Sequence, residues 1–105
     1  MKSKAAIEFD FRQAMNRANE LEQVASEMKR MANNDMQSSL QQLSAAWKGE
    51  AASAYLTKGG RLKNKVIKSA DDLNKTASTI RNVAKRVYEA EMRVYYIAME
   101  RAYKN

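Results

Sequence analysis

From Phe11 onward the chain carries an apolar ladder: Phe11, Met15, Ala18, Leu21, Ala25, Met28, Ala32, Met36, Leu40, Leu43 and Trp47. Its ten steps cover 36 residues, a mean period of 3.6, which predicts one uninterrupted amphipathic helix. Arg12, Arg17, Glu20, Glu27 and Asn34 fall on the opposite face. Asp10 is the predicted N-cap, with Gln13 three residues on to complete a capping box and Phe9 before it as a staple. The predicted span is about 10–45.

The second half is more regular. Val66, Leu73, Ile80, Val87 and Val94 recur every seven residues, and four residues after each stand Ala70, Ala77, Ala84, Glu91 and Ala98. A seven-residue repeat with one large apolar column and one column of small residues describes a seam between closely approaching helices. Glu91 is the one defect in the small column. The predicted helix runs from about 50 to 103, with Gly59 and Gly60 weakening it by about 1 kcal/mol each. A turn at those glycines is the alternative, and the apolar set Ala51, Ala54, Tyr55 and Leu56 ahead of them argues for the earlier turn.

The expected architecture is a single domain over residues 1–105: helix, tight turn at 44–50, helix. So short a connection makes the helices antiparallel neighbours. Two helices enclose no core, and Val83, Tyr88, Met92, Tyr95, Tyr96, Ile97, Met99 and Tyr103 add apolar surface away from the seam. The fold class is therefore all-α, an antiparallel two-helix hairpin that pairs into a four-helix bundle. The residues assigned to the seam and partner interface are Leu21, Met28, Met36, Leu40 and Leu43 on the first helix. On the second they are Val66, Leu73, Ile80, Val87 and Val94.

Composition removes most chemistry. There is no cysteine, histidine or proline among the 105 residues, and glycine occurs only at positions 49, 59 and 60. That excludes disulfides, zinc fingers, thiol nucleophiles and imidazole bases, and argues against a many-turned β fold. Asp71 and Asp72 are sequence neighbours that point about 100° apart on a helix, a solvated face and not a dyad. No catalytic residue, metal or cofactor is expected, and the protein is read as no enzyme. The longest uncharged apolar run, Val94 to Met99, is far short of the ~20 residues that span a bilayer, so no transmembrane segment is expected. The N-terminus has no apolar stretch before Glu8 and Asp10 and does not read as a secretory signal peptide.

Nineteen basic against twelve acidic residues give a net charge of +7. Residues 1–49 carry seven basic and six acidic groups, and residues 50–105 carry twelve and six. The cluster Lys58, Arg61, Lys63, Lys65 and Lys68 is the best candidate for a contact with nucleic acid or an anionic surface. It lacks an aromatic stacking platform or a recognition-helix arrangement, so that is the alternative reading. Met15, Met28, Met31 and Met36 read first as core filler and second as an adaptable partner surface.

The turn is the most specific stretch: Trp47-Lys48-Gly49, followed by the alanine–aromatic pair Ala54-Tyr55. A Trp-x-Gly at the junction of two amphipathic helices, in a chain of about a hundred residues, resembles the WXG family. These are the Esx-like helical hairpins of type VII secretion in Gram-positive bacteria and mycobacteria. The resemblance covers nearly the whole chain. Tyr96-Ile97-Ala98-Met99-Glu100 also fits the family's C-terminal Tyr-x-x-x-Asp/Glu export motif, which marks Tyr96 and Glu100.

What the resemblance implies is a non-enzymatic secretion partner. It would pair with another Esx-like hairpin or escort the helical N-terminal domain of a secreted toxin. The Trp47–Gly49 bend and the partner's C-terminal tail would form a composite signal for the secretion ATPase. The chain would be cytoplasmic before export, then secreted or at the cell surface. Many family members are neutral or acidic. A homodimer of this one would carry 7 + 7 = +14, so its charge favours a non-identical, acidic helical partner, with a homodimer as the other option.

Overall fold

The computed structural model describes residues 1–104. They are all-α: helix α1 (Lys4–Arg30), a π-helical turn (Met31–Met36), helix α2 (Gln37–Ala46) and helix α3 (Glu50–Lys104). The α3 helix runs unbroken through Gly59 and Gly60.

The first helix begins at Lys4, seven residues before the first member of its apolar ladder, Phe11. Ser3 is its cap: the Ala6 N–H donates to Ser3 Oγ at 3.1 Å and the Ile7 N–H to the Ser3 carbonyl at 3.0 Å. The N-cap expected at Asp10 is thus corrected. Asp10 lies inside α1, and its carboxylate accepts from the Lys2 ammonium at 2.9 Å. Ile7, which precedes the ladder, is buried and extends the apolar face back to the new start.

The ladder is also interrupted, and the reason is visible in its steps. From Met28 it advances to Ala32, Met36 and Leu40, three successive steps of four. A helix of 3.6 residues per turn drifts by about 40° with each such step. A wider π turn over Met31–Met36 absorbs the surplus and keeps Ala32 buried and Met36 and Leu40 half-buried.

The described residues form two compact units, each an antiparallel pair of helical segments. In the unit Glu22–Lys75 the order of cross-helix contacts shows the pairing: Lys29 Nζ meets Asp71 Oδ1 at 2.6 Å, and Lys63 Nζ donates to Gln37 Oε1 at 2.8 Å. Its buried side chains are Ala25, Ala32, Ala52 and Ala70. Leu40 lies so close to Gly59 that a Cβ there would strike Leu40 Cδ2, which gives Gly59 a packing role; a Cβ on Gly60 would meet open space.

In the other unit, residues 1–21 pair with residues 76–104. Arg81 Nη2 donates to Asn19 Oδ1 at 2.6 Å, and the rings of Phe11 and Tyr88 stack at a tilt, 4.9 Å between centroids. Its buried side chains are Ile7, Ala18, Ala77, Ala84 and Met92. In both units the centre of the seam is alanine. Alanine lets two helix axes approach closely, and that closeness leaves no room between the axes for a larger side chain.

Candidate partner interface

The alanine seam displaces the large apolar column. Val66, Leu73 and Ile80 are half-buried at its edge, as are Leu21, Met28, Met36, Leu40 and Leu43 on the facing helix. Val87 and Val94 are not buried at all: they are 47% and 56% exposed, and Val83 beside them is 47% exposed. Of the column assigned to the seam and partner interface, Val87 and Val94 are thus surface positions of the single chain. The column faces outward because the alanines occupy the space between the helices.

At 3.6 residues per turn, Ile80, Val83, Val87 and Val94 fall within about 60° of one another, so they make one strip along α3. With Ile7, Phe11 and Ala14 of α1, the Ile80, Val83 and Val87 part of this strip bounds an open groove of about 370 Å³ in the unit containing residues 1–21, while Val94 lines a smaller hollow with Ile7 and Glu91. Asp10 and Glu91 stand at the edge of the groove. Lys2 joins both: its ammonium is 2.9 Å from Asp10 Oδ2 and 3.1 Å from Glu91 Oε2. The misfit of Glu91 in the small column thus has a cause, since an alanine there could not hold the amino-terminal residues. The two hydrogen bonds, Asp10 first and Glu91 second, raise the Lys2 pKa above its ordinary 10.5.

The bend lies in the other unit. The Trp47 N–H closes the last turn of α2 on the Leu43 carbonyl at 2.9 Å, and Trp47 itself is extended, φ −130° and ψ 124°. Gly49 has φ +115°, a backbone conformation that L side chains rarely adopt, and nothing lies within 4 Å of the Cβ it lacks. Glycine is required there by the backbone and not by crowding. Its carbonyl accepts the Ser53 N–H at 3.0 Å and so opens α3. One turn later Tyr55 folds back on Trp47, with ring centroids 5.4 Å apart. Both rings stay largely open to solvent, as does Ala54, while Ala52 is the alanine that packs inward.

A family model described as "Proteins of 100 residues with WXG" matches residues 6–92 of this chain. The match spans most of it. The chain belongs to the WXG100 family. No curated protein and no solved structure matches it. Family membership associates this WXG100 protein with type VII secretion and with helical partners. Among its described residues no helix is long and apolar enough to cross a membrane.

Tyr96 and Glu100, one turn apart on α3 of this WXG100 protein, are both exposed. Each is engaged by a lysine of the chain. The Lys4 ammonium lies 5.9 Å from the centre of the Tyr96 ring, and Tyr96 is the first cause of a Lys4 pKa raised above its usual value. Lys104 Nζ pairs with Glu100 Oε1 at 2.9 Å. Tyr95 meets Tyr96 edge to face, 5.4 Å between centroids.

The structure also divides the basic cluster. Lys63 turns toward Gln37 and is half-buried, while Lys58, Arg61, Lys65 and Lys68 are exposed. Sequence reasoning missed the Lys2 clasp, the Phe11–Tyr88 stack and the inward role of Ala52. Of these only Ala52 has a signal, since it stands seven residues before Gly59 and fourteen before Val66.

Proposed function

We propose that this WXG100 protein is a non-enzymatic partner protein of type VII secretion. It works by pairing its open α3 strip with a second helical hairpin to form a four-helix bundle. That hairpin belongs to another Esx-like protein or to the helical N-terminal domain of a secreted toxin. The observation that supports this reading most is the strip itself. Val83 and Val87 remain about half exposed along a groove, and Val94 beyond them is exposed as well. An apolar strip of that length stays soluble by being covered.

The paired chains would present the Trp47–Gly49 bend and the Tyr96–Glu100 pair to a secretion ATPase. Exposure of the Trp47 and Tyr55 rings and of Tyr96 is in keeping with that role. The test is co-purification with co-expressed Esx-like hairpins and toxin N-terminal domains. Val87→Asp puts a charge into the covered strip and should abolish capture, whereas Lys85→Asp on the other flank of α3 should retain it. Capture by both variants alike would refute the assignment.

A further inference from the structure

The four exposed cations of the basic cluster share one face of α3. At about 100° per residue, Lys58, Arg61, Lys65 and Lys68 lie within an arc of roughly 80°. Their spacing is three, four and three residues, and they cover about 15 Å of helix. Glu50 and Asp72 fall in the same arc, one beyond each end, and both are exposed. Among the described residues none of the four cations forms an ion pair or hydrogen bond, whereas the neighbouring Lys29 and Lys63 are tied to Asp71 and Gln37. Alongside the cations runs an exposed apolar edge, Tyr55 at 60% and Leu62 at 55%.

We infer that this strip is a docking surface for an acidic helix of the partner. Four cations at alternating spacings of three and four match carboxylates repeated at the same spacing on a facing helix, as charged positions beside an apolar seam do in paired helices. Glu50 limits the register, because a facing helix gains most when a cation of its own stands opposite it. A phosphate polymer has uniform charge, is repelled by Glu50 and makes no use of the apolar edge beside the cations. The flanking Tyr55 and Leu62 supply the apolar contact that a facing helix needs. This inference rests on the reading of the chain as a helix-pairing protein, and it adds the charge pattern of the partner.

The experiment uses the full chain and two synthetic helical peptides of identical composition. One carries glutamates at i, i+3, i+7 and i+10 with a lysine beyond the end that faces Glu50, and the other has the same charges scattered around the helix. Binding is read by fluorescence anisotropy, with a short DNA duplex and vesicles containing anionic phospholipid as competing probes. The patterned peptide should bind best. Its affinity should fall roughly tenfold or more in the quadruple variant Lys58→Gln, Arg61→Gln, Lys65→Gln, Lys68→Gln. Equal binding of the scattered peptide, tighter binding of duplex or vesicles, or no response to the quadruple variant would overturn it. Helix pairing itself is tested separately by Val87→Asp: loss of partner capture there, with the quadruple variant unaffected, leaves pairing intact and makes the cations a solvated face.

Discussion

Glu91 reaches Lys2 across 89 positions of sequence, the ammonium nitrogen standing 3.1 Å from its Oε2, and the same nitrogen holds Asp10 of the facing helix. A carboxylate in a column otherwise made of alanine therefore fastens the amino-terminal residues to α3. The clasp is at the surface, so its effect is modest and screened by salt.

Its pH dependence has a definite sign. The Lys2 pKa is raised in the folded chain, so the clasp's contribution is fully present below the ordinary value of 10.5 and fades as pH climbs through the higher folded value. Lys2→Gln should lower the melting temperature slightly at neutral pH, and the gap to wild type should close as the pH climbs past 10.5 and through the higher folded value. Thermal melts across that range check it. A gap that widens with alkalinity would be inconsistent with the clasp.

The alanine seam is intolerant of size. Ala25→Leu or Ala77→Leu inserts a large side chain where two helices meet at zero exposure, which should cost about 1–3 kcal/mol in chemical denaturation. Ala54→Leu, on an exposed position of the same fold, should change stability by less than about 0.5 kcal/mol.

The three glycines should respond with different signs. Gly49→Ala forces an L residue to φ +115° and should destabilise by about 1 kcal/mol or more. Gly60→Ala places a methyl group in open space within a helix and should stabilise by about 0.5–1 kcal/mol. Gly59→Ala requires Leu40 to turn aside, so it should fall below Gly60→Ala. Denaturation midpoints of the three variants settle the order.

Much of the hairpin can be read directly from residue spacing. The seven-residue repeat from Val66 to Val94 marks a long helix, and Trp47-x-Gly49 marks the bend. Which of the two columns packs inward is harder, because Val–Ala repeats suit either arrangement. Axial distance decides it: alanines on both helices, Ala18 and Ala25 on one and Ala77 and Ala84 on the other, let the axes close until the valines are pushed aside. A mean period of 3.6 also hid the three four-residue steps between Met28 and Leu40 that demand a π turn. The Ser3 cap was obscured by Asp10, an equally good cap chemically, whose carboxylate is instead drawn to Lys2. The clasp itself joins residues at opposite ends of the chain and has no local signature.

Tyr96 and Glu100 are exposed and contribute to the fold mainly through the contacts with Lys4 and Lys104. Replacing both by alanine should leave helicity and partner capture nearly unchanged while reducing export of the complex in the secreting host. Unchanged export with the double variant as the only copy would remove them from the signal. Lost capture would place them in the interface.

The most direct measurement of the central claim is sedimentation equilibrium of the wild-type and Val87→Asp chains, each alone and with an acidic Esx-like hairpin. The expected result is a two-chain assembly of the wild type with that hairpin, or with itself where the hairpin does not bind. Val87→Asp, with unchanged helicity by circular dichroism, should sediment at the 11.9 kDa of one chain under all conditions. A wild-type chain that remains single throughout, and still melts cooperatively with Val83, Val87 and Val94 uncovered, would contradict it.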